Sequence, residues 1–125
     1  MLALITGASS GIGRDMARIL ANKGYDLALV ARNQDGLDKI KAELEKENAN
    51  IKISTYSVDL AIKENLYRLY EDVKDVDILI NNAGFGTFGR FTETDLEKEV
   101  NMINTNVTAV HVLTKLYLKD MVAKN

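Results

Sequence analysis

The sequence has no cysteine, proline or tryptophan, and a single histidine. The absence of cysteine excludes disulfide bonds and thiol catalysis. No apolar stretch approaches the roughly 18 residues that a membrane-spanning helix requires, and no signal peptide precedes the first apolar segment. The 16 basic and 18 acidic residues form no block of like charge, so nothing indicates a nucleic-acid or anionic-membrane partner. We therefore expect a soluble, cytoplasmic protein without a metal site.

Strand and helix patterns alternate along the whole chain. Apolar segments typical of buried strands lie at residues 2–5, 27–31, 51–58 and 76–80, and each precedes a helical pattern. This alternation predicts an α/β fold with a parallel sheet and right-handed crossovers. The 125 residues contain no linker or repeat and can hold one domain at most. The last helix spans about 30 residues, with one apolar stripe: Leu96, Val100, Ile103, Val107, Val110, Thr114, Tyr117 and Met121.

Two glycine-rich segments compete as the dinucleotide loop. The segment GFGTFG, residues 84–89, matches G-x-G-x-x-G, but the next helix signal is a capping box at residues 94–97. The segment GASSGIG, residues 7–13, lies between the first strand and the first helix, as a pyrophosphate-binding turn requires. Gly7 would allow the turn, Gly11 the close approach of pyrophosphate, and Gly13 the packing of helix on strand. We assign the cofactor loop to residues 7–13; a glycine turn without a ligand is the alternative.

Four motifs together resemble the N-terminal half of a short-chain dehydrogenase/reductase. They are TGASSGIG at residues 6–13, the pair Asp59 and Leu60, NNAG at residues 81–84, and Asn106 in the last helix. The resemblance implies a Rossmann-like parallel sheet of strand order 3-2-1-4, flanked by helices and truncated after the fourth helix. It also implies an oxidoreductase that transfers hydride between a nicotinamide cofactor and a small carbonyl or alcohol substrate.

The resemblance assigns roles to individual residues. Ser9, Ser10 and the N–H of Ile12 would donate to phosphate oxygens. Asp59, beside Leu60, would meet the adenine ring, although an aspartate before Ala61 is equally an N-cap. Asn81 and Asn82 would bind backbone across the sheet, and Ala83 and Gly84 would leave room for the ribose. Asn106 would distort the last helix and hold a water in a proton relay, with Asn104 as the alternative position.

The end of the second strand decides the choice of cofactor. An acidic side chain that would accept from a ribose 2′-OH is absent there, and Ala31 and Arg32 stand in its place. A guanidinium can hold a phosphate bidentately, so we predict NADP in preference to NAD. A solvated charge at a strand end is the alternative.

The catalytic serine and Tyr-x-x-x-Lys of the resembled family are absent from these residues. The one matching pair, Tyr70 and Lys74, precedes the fourth strand on a crossover helix, so we expect a surface i,i+4 pairing there. The chain alone is therefore predicted to be inactive. A non-catalytic nucleotide-binding or interaction module and an inert fragment are the alternative functions. We also expect a homo-oligomer, formed through the edge of strand four, the last helix or both.

Two further expectations concern the aromatic residues and the histidine. Phe85, Phe88 and Phe91 are candidates for the apolar wall of a substrate cleft, with ordinary core packing as the alternative. His111 has no cysteine, serine or acidic residue at a spacing that would place it alongside, so we interpret it as structural.

Overall fold

The computed structural model describes residues 1–125 and contains one four-stranded sheet. All strand pairs are parallel, and the strand order is β3-β2-β1-β4. The strands are β1 (Leu2–Thr6), β2 (Asp26–Ala31), β3 (Ile53–Ser57) and β4 (Ile78–Ile80). The helices are α1 (Gly11–Asn22), α2 (Gln34–Glu47), α3 (Lys63–Asp72), α4 (Leu96–Ile103) and α5 (Ala109–Lys124). The predicted α/β fold and strand order are confirmed.

Helices cover both faces of the sheet. Alternate strand residues point to opposite faces, so Ile5 and Leu29 pack with α1 and α2, whereas Leu4 and Val30 pack with α3 and α5. The central strands β1 and β2 have the nearly continuous apolar sequence that burial on both faces of a parallel sheet requires. The edge strands are less buried, since β3 and β4 each pair with one neighbour only.

Two predicted helix starts are wrong by one or more residues. Helix α3 begins at Lys63 with Ile62 as N-cap, so Asp59 does not cap it. Instead, Asp59 Oδ1 accepts the N–H of Ala61 at 3.0 Å, which closes a turn before the helix. Helix α4 is capped by Asp95, whose Oδ2 accepts the N–H of Lys98 at 2.9 Å. The capping residue therefore stands one position later than the predicted box.

The last helical segment is continuous but irregular. A π-helical turn, Asn104–Thr108, joins α4 to α5. The extra residue of such a turn shifts the helix register, and the buried residues of this segment are Ala109, Leu113 and Tyr117. Most of the predicted apolar stripe is exposed, with Val100 at 45%, Ile103 at 52% and Val107 at 61%, whereas its member Tyr117 is buried.

Candidate cofactor-binding site

The loop between β1 and α1 has the backbone that an anion site requires. Gly7 and Gly11 have φ values of +65° and +55°, which disfavour any residue with a side chain. At Gly13 an added Cβ would lie 2.2 Å from the carbonyl oxygen of Gly7, so only glycine allows this contact between helix and loop. The helix N-terminus is thereby held directly against the end of β1.

The first turn of α1 has no capping partner from the chain. Ser10 occupies the N-cap position, yet its side chain makes no capping hydrogen bond. No acidic residue lies in the first turn. The N–H groups and the positive end of the helix dipole are therefore available to an anionic ligand.

A buried threonine connects this loop to the segment after β4. Thr6 is 2% exposed, and its Oγ1 accepts the N–H groups of Asn82 at 2.9 Å and Ala83 at 3.0 Å. In return, Asn82 Nδ2 donates to the carbonyl oxygen of Gly7 at 3.2 Å. Asn82 thus binds backbone across the sheet as expected. No role for Thr6 was predicted from the sequence, although its place between a strand and Gly7 is a usable signal.

A cleft of about 260 Å³ opens at the carboxyl ends of the strands, where ligands of open α/β sheets bind. Seven predicted cofactor residues line it: Gly7, Ser9, Arg32, Asp59, Leu60, Ala83 and Gly84. The other predicted residues lie beside the cleft in the loop, in the first turn of α1 and after β4: Ser10, Gly11, Ile12, Gly13 and Asn82. Five lining residues had no predicted cofactor role: Ala31, Asn33, Val58, Phe85 and Thr105.

The two charged side chains of the cleft differ in how they are held. The Arg32 guanidinium is exposed and makes no ion pair or hydrogen bond, while Ser57 Oγ fixes its backbone by donating to its carbonyl oxygen at 2.8 Å. Asp59 is fixed by the Ala61 N–H and by Asn65 Nδ2, which donates to the Asp59 carbonyl oxygen at 3.0 Å. The cleft therefore has a rigid carboxylate and an unpaired cation.

Asn106 lies within the π-helical turn and binds the backbone on the far side of the cleft. Its Oδ1 accepts the N–H of Phe85 at 3.0 Å, and its Nδ2 donates to the Phe85 carbonyl oxygen at 2.8 Å. An added Cβ at Gly84 would lie 2.9 Å from this Oδ1. Asn104 instead accepts from Thr108 within the turn at 3.5 Å. The bidentate contact belongs to Asn106, and the distortion that the resemblance implied is present around it.

A family model of the short chain dehydrogenases matches residues 1–125. The chain belongs to the short-chain dehydrogenase family. Members of this family are oxidoreductases, and the sequence resemblance is confirmed.

Individual relatives agree with this assignment. The chain is 39% identical to a very-long-chain 3-oxoacyl-CoA reductase of Pyrenophora tritici-repentis, and the match covers 98% of this chain and 38% of that protein. A short-chain dehydrogenase from Sphingobium yanoikuyae in complex with NADPH has a TM-score of 0.92 at 34% identity, with 98% of this chain and 49% of that one covered. An alcohol dehydrogenase from Thermococcus sibiricus complexed with 5-hydroxy-NADP has a TM-score of 0.83 at 38% identity, with coverages of 94% and 52%. The chain spans about half the length of these relatives or less.

Within this short-chain dehydrogenase chain, Asn81 has a different partner from the expected one. Its Nδ2 donates to Thr114 Oγ1 on α5 at 3.0 Å, and no hydrogen bond joins it to the backbone across the sheet. Successive residues of an extended segment point to opposite faces. Asn82 therefore meets the glycine loop while Asn81 meets α5, so the expectation for Asn81 is wrong.

The pair Tyr70 and Lys74 is structural in this member of the family. Lys74 Nζ lies 3.7 Å from the centre of the Tyr70 ring, which is a cation–π contact between α3 and the residue that follows its C-cap. Tyr70 OH donates to Asp120 Oδ2 at 2.6 Å, and this hydrogen bond raises the pKa of the phenol. Neither side chain lines the cleft. The pairing predicted from the spacing is confirmed.

The glycine segment at residues 84–89 opens no helix, and the next one begins at Leu96. Phe88 is 100% exposed and Phe91 is 85% exposed, so core packing is excluded for both. Phe85 is half-buried and lines the cleft.

His111 is exposed on the surface of α5. No helix of the chain is long and apolar enough to cross a membrane.

Proposed function

We propose that these residues form an NADP-binding Rossmann half-domain of a short-chain dehydrogenase. The observation that carries this proposal is the uncapped N-terminus of α1, which faces a cleft lined by the unpaired guanidinium of Arg32. Two of the structural relatives are described in complex with NADPH or 5-hydroxy-NADP, which supports a nicotinamide dinucleotide as the ligand.

Each part of the dinucleotide has a counterpart in the cleft. The pyrophosphate would accept from Ser9, Ser10 and the N–H of Ile12, because anions bind where a helix N-terminus leaves its donors open. The adenine would lie against Leu60, where the unshared Oδ2 of Asp59 is a hydrogen-bond acceptor. Ala83 and Gly84 would face the ribose, since larger side chains there would fill the cleft.

Arg32 is proposed to select NADP over NAD. Its guanidinium has no competing acidic partner and lines the same cleft as Gly7. A fork of N–H donors binds a phosphate bidentately, whereas it gains little from a ribose hydroxyl. This unpaired cation is the basis of the proposed preference for NADP.

The proposed reaction is hydride transfer between NADP(H) and a carbonyl or alcohol substrate; the bound nicotinamide supplies the hydride chemistry. Asn106 would position the Phe85 segment through its two hydrogen bonds. Asn106 Oδ1 keeps a second lone pair and Nδ2 a second N–H, so the same amide would also hold the relay water that the resemblance implies. The only Tyr-x-x-x-Lys of the chain lies outside the cleft, so we propose that these 125 residues bind cofactor without turnover.

Phe88 and Phe91 suggest an apolar substrate. Both follow Gly84 in the irregular segment before α4, and both are exposed. In a complete enzyme they would form one wall of a substrate cleft at the nicotinamide end of the site. The Pyrenophora relative is described as acting on very-long-chain 3-oxoacyl-CoA, and an apolar carbonyl compound is the class of substrate that we propose.

The proposal also includes self-association. Strand β4 has an open edge because only β1 pairs with it. Val107 of the π-helical turn and Val110 and Leu118 of α5 line one shallow cleft together with Asn106. Open strand edges and exposed apolar patches both favour association with a second chain.

Calorimetric titration of the chain with NADPH and NADH tests the proposed function. We expect tighter binding of NADPH, a loss of this preference in Arg32→Gln, and no change in Arg68→Gln, a matched control outside the cofactor cleft. No oxidation of NADPH is expected with a panel of aldehydes and ketones. Absence of binding of either nucleotide would contradict the proposal.

A further inference from the structure

A second cleft, of about 360 Å³, opens beside the cofactor cleft. The two clefts share Arg32, Asp59, Phe85 and Thr105, so they are continuous. The remaining wall of the second cleft includes Lys98 and Asn101 of α4. Lys98, Asn101 and Thr105 follow one another at spacings of three and four, which places them along one edge of the helical segment. This polar edge faces the cleft that Arg32 also lines.

Lys98 has a charge that its local structure does not favour. It is the third residue of α4, within the turn where the helix dipole opposes a cation. At this position of a capping box, glutamate or glutamine is the usual residue. The carboxylate of Asp95, three residues earlier, accepts the backbone N–H of Lys98 at 2.9 Å as the N-cap of the helix. Glu97 and Glu99 are sequence neighbours that do not face Lys98, and Glu99 Oε1 accepts from Thr94 Oγ1 at 2.8 Å. No acidic side chain forms an ion pair with Lys98.

The charges around the second cleft therefore do not cancel within the protein. Two cations, Arg32 and Lys98, line it with the single carboxylate of Asp59. That carboxylate already accepts the Ala61 N–H. An anion of two negative charges, such as a phosphate monoester, would complement this arrangement.

We propose that Lys98 is a second cation for the 2′-phosphate of NADP, and that it acts with Arg32 in selecting NADP over NAD. This inference rests on the proposed function. Arg32 holds the phosphate from the β2 side with its planar fork, and Lys98 approaches it from α4 as a flexible point charge. The phosphate also compensates the unfavourable placement of a lysine in the first turn of α4.

Calorimetric titration of the 125-residue chain with 2′,5′-ADP and with 5′-AMP separates the 2′-phosphate from the rest of the nucleotide. In Lys98→Gln we expect 2′,5′-ADP to bind about three- to tenfold more weakly, which is typical of one solvent-exposed charge-assisted contact. Binding of 5′-AMP should not change. Lys98→Arg should restore the affinity, and the binding of 2′,5′-ADP should depend less on salt in Lys98→Gln, because one exposed ion pair that salt screens is lost.

Lys119→Gln is the matched control, since Lys119 is exposed on α5 and lines neither cleft. We expect Lys98→Gln to fold normally, because it removes a cation that the helix dipole disfavours. Its thermal unfolding midpoint provides the check.

Three results would each have a separate meaning. Equal binding of 2′,5′-ADP and 5′-AMP by the unaltered chain would overturn the proposed NADP preference. Loss of discrimination in Arg32→Gln with no effect in Lys98→Gln would overturn this inference and leave the proposed function intact. Equal weakening of both nucleotides in Lys98→Gln would assign Lys98 to the adenosine portion, and this also overturns the inference.

Discussion

Replacement of Thr6 by valine should destabilise the protein without changing the shape of the residue. Valine has almost the same volume, so the apolar contacts at the end of β1 are retained. The change removes the one oxygen that accepts the N–H groups of Asn82 and Ala83. Thr6 is 2% exposed, and water therefore cannot replace this oxygen from outside without a rearrangement.

The expected decrease in the free energy of unfolding follows from the two N–H donors that lose their acceptor. A buried donor left without a partner costs about 1–3 kcal/mol, and both N–H groups belong to half-buried residues. We therefore expect the free energy of unfolding to decrease by about 2–4 kcal/mol in Thr6→Val. Thr6→Ser keeps the oxygen and loses one buried methyl group, which costs about 1 kcal/mol. The ordering of the two variants matters more than either value.

Urea denaturation monitored by circular dichroism measures both changes on the same scale. We expect Thr6→Val to be the less stable variant, and also the weaker binder of NADPH, because Asn82 and Ala83 would no longer be held against Gly7. If Thr6→Val proved as stable as Thr6→Ser, the hydrogen bonds at Thr6 would not be what holds the two loops together.

Two further predictions concern pH and assembly. Asp77 Oδ2 accepts the N–H of Leu2 at 2.8 Å, and this hydrogen bond lowers the pKa of the carboxyl group, with Lys124 assisting. Its contribution to stability is therefore complete above the usual aspartate pKa of about 4 and is lost as the pH falls through the lowered value. The thermal unfolding midpoint can be measured between pH 2 and 6, in steps on the order of one pH unit. We expect this midpoint to decrease less with acid in Asp77→Asn than in the control Asp75→Asn. Equal decreases in the two variants would contradict this prediction. Sedimentation velocity should show a concentration-dependent mass that Val107→Glu reduces, and a monomer at every concentration would contradict the proposed self-association.

The fold was predictable because its signals are local and repeated. Strands β1 and β2 are apolar enough to be buried on two faces, and every strand is followed by a helical pattern, which together predict a parallel sheet. The register of the last helix was not predictable from periodicity alone. A π-helical turn adds a residue without any change in composition, and the buried residues beyond it are Ala109, Leu113 and Tyr117.

The conformation of the glycine loop and the position of Arg32 in the cleft could be predicted, because both follow from residues that are adjacent in the sequence. The partners of Asn81 and Thr6 could not, because Thr114 is 33 residues from Asn81 and Ala83 is 77 residues from Thr6. The second cleft could not be predicted for the same reason, since Arg32 and Lys98 are distant in sequence and are brought together only by the packing of the last helix beside the sheet.

The N-termini of α1 and α4, which lie beside the same cleft, depart from the usual preferences for helix capping and first-turn charge. Ser10 is well suited to cap α1 and does not, and Lys98 stands in the first turn of α4 where a carboxylate is usual. Helix α3 shows that an uncapped start is not by itself a sign of a ligand, because Ile62 has no side-chain oxygen with which to cap. At Ser10 and Lys98, by contrast, a polar group is present and has no partner within the chain. Helix-capping and charge preferences are expected to fail where a ligand completes the structure. The exceptions at Ser10 and Lys98 leave open N–H donors and a positive charge, and both face the place proposed for the phosphates of NADP.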